Sequence, residues 1–309
     1  MRSVIIRSLV AGWILFGTFA ALAEGGTERL VYYSDYFSFI GGDAQGKVAF
    51  ALDTNRGQDG EEFQAEHFVV LHDERKGWVR LSGNGKYPNP AGALAAIPDS
   101  KDFAFQGSAE KGMTVKSATN GVELEVAPIP KILERRKGSA TYWLGSAAAT
   151  LRWDGRTIPG RVIYEYLHRP GYNRLSRTHF AQWRDFHGLY LRVEGGGDLY
   201  FHRRHPGDEE PLTGNLVGFM ALGERVGAVS ELLIEIPERS QALGLYRWPE
   251  AWRGSFRLGG ETYRFELTLT QRDLVRNWVI GGFSMGIVRG ELRRDGQVHE
   301  LYGLAELIL

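Results

Sequence analysis

The chain is 309 residues long with 37 basic and 37 acidic side chains, so its formal charge is zero, and 12% of it is aromatic. A near-neutral chain without a basic stripe is a poor match to nucleic acid, where neutralising phosphate supplies much of the affinity. It has no cysteine, which excludes thiol catalysis, a lipidated N-terminal cysteine, covalent haem and disulfides, and leaves the fold to burial alone.

Residues 1–23 read as a secretory signal peptide. Arg2 and Arg7 form a positive start, Leu9–Leu22 is an uncharged apolar run, and Ala21-Leu22-Ala23 gives a small-x-small cleavage pattern before Glu24. The run is short for a spanning helix, with an uncleaved N-terminal anchor as the alternative. Cleavage after Ala23 takes two arginines and no acid, leaving 286 residues with a charge of −2. The expected location is periplasmic or secreted.

Along the rest of the chain, alternating stretches recur between turn signals. The first half offers Leu30–Ile40, Lys47–Asp53, Phe63–His72, Trp78–Ser82, Asp102–Gln106, Met113–Ser117, Val122–Val126, Ala140–Trp153 and Thr157–His168. Asn120-Gly121, Asp154-Gly155 and Asp295-Gly296 are hairpin signals, because both central positions of a type I′ turn need positive φ. The second half continues with Thr178–Val193, Asp198–Arg203, Asn215–Leu222, Glu231–Glu235, Arg253–Leu258, Thr262–Leu269, Trp278–Leu292 and Val298–Leu309. Short helices are expected at Thr270–Trp278 and Glu238–Tyr246. A barrel of about eight strands takes roughly half of such a chain. The expected fold is therefore all-β, as two consecutive antiparallel barrels with few short helices. The units are 24–172 and 173–309, meeting near Pro170-Gly171-Tyr172-Asn173.

Gly282-Phe283-Ser284-Met285-Gly286 matches the G-x-S-x-G of a hydrolase nucleophile elbow, but that chemistry needs a strand–turn–helix. Here two more strands follow, so the segment reads as a glycine-rich strand. The pairs His67…His72 and His202…His205 lack a third convergent ligand, so no metal site is predicted. Nothing has the form of a phosphate-cradling glycine loop, so no cofactor is predicted.

The polar–aromatic clusters carry more. If Thr178–Val193 is one strand, a single face carries His179, Trp183, Asp185 and His187 together with Leu189, Leu191 and Val193. The aliphatic residues turn that face inward and draw Asp185 and His187 with it. Such a pair can shift both groups toward acid–base use; the plain alternative is that Asp185 only orients His187. In Arg161–His168, Val162, Tyr164, Tyr166 and His168 alternate with Ile163, Glu165 and Leu167. Either face can line a cavity. Burial would raise the Glu165 pKa, whereas a tyrosine–histidine face suits a large apolar ligand with a few polar anchors.

Several segments in order resemble one family. They are "YYSDYFSFIGGDAQGKVAFAL", "AEHFVVLHDERKGW", "GRVIYEYLHRPG", "QWRDFHGLYLRVEGGGDLYFHRRH", "YRFELTLTQRDLVRNWVIGGFSMGIVRGEL" and "ELYGLAELIL". Together they are similar to the carotenoid hydratase (hydroxyneurosporene synthase) and AttH-like group of tandem lipocalin-like proteins. The resemblance implies two lipocalin-like barrels with acid–base side chains in a cleft between them, which places Glu165, His168, Trp183 and Asp185 as positions of interest. Where the family continues an acidic residue with His-x-Trp-Gly, this chain has Tyr166-Leu167-His168-Arg169-Pro170.

The expected function is binding of a hydrophobic isoprenoid, carotenoid or lipid-like molecule, with Tyr164, Tyr166, His179 and Trp183 as ligand contacts. The alternative is a cofactor-independent hydratase, isomerase or cyclase. There Glu165 or Asp185 protonates a double bond, and His168 or His187 handles the proton of water. A third reading is a partner-binding envelope protein. The expected partner is a hydrophobic small molecule rather than nucleic acid, with peripheral membrane contact left open.

Overall fold

The computed structural model describes residues 30–60, 62–87, 94–172, 185–205, 212–242, 246–278 and 281–308. It is all-β, with no helix among the described residues, and forms two consecutive antiparallel lipocalin-like barrels. The first sheet comprises β1 (Leu30–Asp43), β2 (Gly46–Asp59), β3 (Glu62–Asp73), β4 (Gly77–Val79), β5 (Gly85–Tyr87), β6 (Ala104–Ser108), β7 (Gly112–Ser117), β8 (Val122–Val126), β9 (Lys131–Lys137), β10 (Ala140–Trp153) and β11 (Arg156–Pro170). The second comprises β12 (Phe186–Val193), β13 (Gly197–Arg203), β14 (Leu216–Leu222), β15 (Arg225–Ala228), β16 (Ser230–Ala242), β17 (Tyr246–Leu258), β18 (Glu261–Trp278), β19 (Gly281–Arg294) and β20 (Gln297–Ile308).

Strand order is β4-β3-β2-β1-β11-β10-β8-β7-β6 in the first sheet, with β5 on β3 and β9 on β10, and β15-β14-β13-β12-β20-β19-β18-β17-β16 in the second. In each, an early strand pairs with the last one: β1 with β11 and β12 with β20. Two hairpins close on the expected turns. Asp154 and Gly155 have φ of 54° and 70°, and Asp295 and Gly296 have 45° and 80°, the positive pair that a type I′ turn requires.

The helices expected at Thr270–Trp278 and Glu238–Tyr246 do not form. The first segment lies inside β18; of the second, Glu238–Ala242 belongs to β16 and Tyr246 opens β17. Both segments carry register shifts, between Leu269 and Gln271, Leu274 and Arg276, Glu235 and Glu238, and Glu238 and Arg239. A bulge inserts an extra residue and breaks the two-residue alternation, which removes the strand signal from the sequence. Of Thr178–Val193, residues 178–184 lie outside the described residues. The strand starts at Phe186, after Asp185 at a φ of 51°; His179 and Trp183 lie outside the described residues.

The G-x-S-x-G segment is strand throughout, in β19. Ser284 Oγ donates to the Asp273 carbonyl at 3.0 Å, and a Cβ at Gly286 would fall 2.2 Å from Leu269 Cδ1. Close packing explains that glycine.

Three cores result. Phe37, Phe39, Phe50, Leu52, Leu71 and Trp143 lie among the side chains that fill the first barrel, and Leu189, Leu191, Phe201, Trp248, Trp252 and Phe265 among those that fill the second. The third is the seam between barrels, where Tyr36, Ile40, Phe68, Tyr142, Ile163 and Leu167 meet Tyr190, Tyr200, Phe219, Met285, Tyr302 and Leu304. Strands β1, β2, β11, β12 and β20 thus send alternate residues into a barrel and into the seam. The seam is also tied by His72 Nε2 to Gln271 Oε1 at 2.7 Å, by Arg135 to the Thr213 carbonyl at 3.0 Å, and by Asp198 with Ser146 and Arg161.

Candidate functional site

Register builds the first barrel's interior in layers. The deep rows are Leu71–Phe50–Phe39–Val162–Ala147 and Val69–Leu52–Phe37–Tyr164–Gly145 across β3, β2, β1, β11 and β10. The next row outward is His67–Thr54–Asp35–Tyr166–Trp143, and the one above it Ala65–Arg56–Tyr33–His168–Thr141. Apolar floor gives way to polar mouth within two residues of each strand. Asp35 accepts from Arg56 Nη2 at 2.6 Å and from the Tyr164 hydroxyl. Arg56 also donates to the Leu94 carbonyl at 2.9 Å and to Thr54 Oγ1 at 3.1 Å, so this fully buried cation is both paired and hydrogen-bonded, as burial demands.

An aromatic rim stands over that pair. Tyr33 stacks on His168 with centroids 4.4 Å apart and meets Tyr166 edge-on at 6.5 Å; all three are partly exposed. Tyr87, paired at Ala65 through β5, packs on His67 at 4.1 Å. Burial pulls His67 down to about 4, so it is neutral. Its Nε2 and the Tyr87 hydroxyl are both buried without a partner. Burial pushes the Tyr166 phenol up to about 12 and lowers His168. The cup is therefore charge-balanced, with two polar atoms left to satisfy.

Glu165, one residue from this face, points the other way. It is half-buried in the seam, with Tyr200 Oη at 2.8 Å and Tyr190 Oη at 3.3 Å. Burial raises its carboxyl above the ordinary value, against the opposing hydrogen bonds of Tyr200, Tyr142 and Tyr190 and the charge of Arg204. Hydrogen positions follow from His202. Its Nε2 lies 3.0 Å from the Gly214 carbonyl, which can only accept, so Nε2 carries the hydrogen. Burial pulls this imidazole down to about 3, so Nδ1 is bare and faces the hydroxyls of Tyr200 at 3.0 Å and Tyr142 at 3.4 Å. Tyr200 donates to Glu165 Oε2 at 2.8 Å, the shorter of its two contacts, which leaves Tyr142 to supply the hydrogen to Nδ1. Burial and the tyrosine hydroxyls thus pull the seam acid in opposite directions, with burial the larger influence.

Asp185 and His187 stand apart, at the mouth of the second barrel. His187 Nε2 meets Asp185 Oδ1 at 3.0 Å, and Trp252 Nε1 donates to His187 Nδ1 at 3.1 Å. An indole N–H is only ever a donor, so Nδ1 is the acceptor and Nε2 carries the hydrogen toward Asp185. Burial lowers His187, which keeps this one tautomer neutral with both nitrogens engaged. For Asp185, burial alone would raise the carboxyl. The His187 hydrogen bond and the guanidiniums of Arg203 at 2.9 Å and Arg239 at 3.6 Å hold it well below the carboxylate range.

The four residues singled out for chemistry therefore do not share a cavity. Glu165 is in the seam, His168 on the first rim, and Asp185 with His187 in the second barrel. Tyr164 sits below the rim, and its phenol is bonded to Asp35. Asp35, Arg56, His67, Tyr87, Tyr200 and His202 were missed. Asp35 and Arg56 are single charges on otherwise apolar strand faces, a signal available by parity; the rest needed the register. Among the described residues, no three histidines or carboxylates are grouped to hold a metal ion. An open cleft of about 730 Å³, lined by residues such as Met113, Val126, Ala148 and Pro159, lies on β7, β8, β10 and β11 and borders none of these groups.

Two tandem lipocalin-like barrels define the class of fold. Known structures of the same architecture include a protein from Nitrosomonas europaea given the provisional name AttH, at a TM-score of 0.57 and 13% identity over 90% of this chain and 92% of that one. Kievitone hydratase from Nectria haematococca aligns at 0.54 and 8% identity over 90% and 88%, and CghA at 0.50 and 10% over 91% and 88%. These likenesses establish the fold. No family model matches the sequence, and no curated protein matches it.

Proposed function

We propose that this protein is an exported binder of a hydrophobic small molecule of the isoprenoid, carotenoid or lipid-like kind, received at the mouth of the first barrel. One observation carries the reading: a partly exposed Tyr33–Tyr166–His168 rim surrounds a neutral polar floor in which His67 Nε2 and the Tyr87 hydroxyl have no partner. A hydroxyl or carbonyl at one end of the ligand would satisfy those atoms while its apolar body lies against the tyrosine faces. The floor below is filled by Phe37, Phe39 and Phe50, so only the polar end enters. Export rests on the positive start and apolar run of residues 1–23 with the Ala21-Leu22-Ala23 pattern before Glu24. The test is organic extraction of the purified protein followed by mass spectrometry. A stoichiometric neutral lipid is expected, lost in Tyr33→Ala/Tyr166→Ala; a lipid-free protein that takes up no polyene alcohol would end the proposal.

A second reading has its own support. Glu165 is the acid of the predicted set whose pKa burial raises, and one neighbour in fold is named a hydratase. In that version Glu165 gives its proton to a double bond, water adds to the resulting cation, and the proton this water loses passes through Tyr200 and His202 back to the Glu165 carboxylate. Glu165→Gln would then abolish turnover of a polyene while leaving its binding intact; equal turnover in the variant would dismiss the mechanism.

A further inference from the structure

Among the described residues, three arginines, Arg203, Arg239 and Arg272, stand at the mouth of the second barrel, and the ion pairs there run to one carboxylate, Asp185. Arg203 and Arg239 share Asp185, and Arg239 stands 3.6 Å from it, outside hydrogen-bond range. Arg272 on β18 is less provided for. It donates through Nη2 to the Pro249 carbonyl at 2.8 Å and through Nη1 to Ser240 Oγ at 3.3 Å, both neutral acceptors. Its Nε is buried with no acceptor, and its guanidinium lies 5.6 Å from the centre of the Trp248 ring. Glu250 attracts it through space but forms no ion pair with it. A half-buried cation with no ion-pair partner among the described residues is unfavourable, and a planar guanidinium not committed to a carboxylate matches an oxyanion in geometry as well as charge. Trp248 supplies the apolar surface beside it.

We propose that the mouth of the second barrel binds the oxyanion head group, carboxylate or phosphate, of an amphipathic ligand, with Arg272 as its principal partner and Arg239 as the second. The site lies in the other barrel from the one that receives a neutral ligand above, and it takes a different chemical end. Asp185 keeps Arg203 engaged and leaves the remaining charge for the ligand.

Isothermal titration of the full-length protein with decanoate, 1-decanol, decyl phosphate and inorganic phosphate tests this at low salt. Decanoate should bind at least about tenfold tighter than 1-decanol, the ratio expected for one charge-assisted hydrogen bond, and added salt should shrink the ratio. Arg272→Met should bring the two affinities together. Tyr33→Ala in the first barrel should leave the ratio unchanged, so failure here is distinguishable from failure of the neutral-ligand reading. If Arg272→Met does not fold by circular dichroism, Arg272→Gln provides the comparison, because its amide can still donate to Ser240 or Pro249. Equal affinities in the unaltered protein, or a ratio that survives both substitutions, would overturn the proposal. Inorganic phosphate binding as tightly as decyl phosphate would overturn its amphipathic part.

Discussion

Glu165 and Asp185 are both carboxylates withdrawn from bulk water, and their surroundings drive them to opposite states. Glu165 faces three tyrosines, whose hydroxyls donate or accept equally well, with Arg204 as the charged neighbour, and burial shifts it toward the neutral acid. Asp185 faces a histidine and two arginines, which can only donate to it, and stays an anion. Burial alone therefore does not make an acid. The donor–acceptor character of the lining does, and a lining that can reverse its hydrogen bonds leaves room for a proton.

The sharpest break in this contrast comes from Asp185→Asn. It strips Arg203 of its partner and should destabilise the protein by about 2–4 kcal/mol near neutral pH, the range for breaking a partly buried pair, measured by urea denaturation. The folded pKa of Asp185 is depressed, so its stabilisation is complete above the unfolded value near 3.9 and is lost as pH falls below it. The gap between variant and unaltered protein should therefore close in acid.

Glu165 carries the opposite sign. Its folded pKa is raised, so the unaltered protein should lose stability as pH climbs above the unfolded value near 4.3, until the folded value is passed. Glu165→Gln removes that slope and should be the more stable of the two proteins at pH 8. A parallel pH profile in the two proteins would show that Glu165 is ionised after all.

Two smaller effects test the hydrogen assignments. Trp252→Phe deletes the donor to His187 Nδ1 at about 1–3 kcal/mol, and the His187 pKa should move up when followed by proton NMR. Tyr200→Phe should cost about 1 kcal/mol and move the Glu165 carboxyl further up, because the Tyr200 hydrogen bond is the largest influence opposing burial there. A downward movement would reverse the direction assigned to the seam network.

Much of this was legible in the residues and some was not, for identifiable reasons. Alternation and the Asp154-Gly155 and Asp295-Gly296 turns mark out the strands and hairpins, and the inward placing of His187 with Leu189 and Leu191 follows from parity. The same reasoning stalls on β11. Val162 and Tyr164 pack inside the barrel, whereas Ile163 and Leu167 pack in the seam. A strand buried on both faces has no polar side to give the answer. The bulges in β16 and β18 broke the alternation and imitated short helices. The tyrosines around Glu165 come from β10, β12 and β13, and only tertiary packing brings them together.

The seam bears on how the chain folds. With Tyr36 stacked on Tyr190 and Phe68 against Phe283, each barrel on its own would present a broad tyrosine- and aliphatic-rich wall to water. Such a surface favours association over independent existence. Heat or denaturant should then unfold the protein in one transition rather than two, and a chain cut between residues 172 and 185 should yield fragments that stay together until both melt.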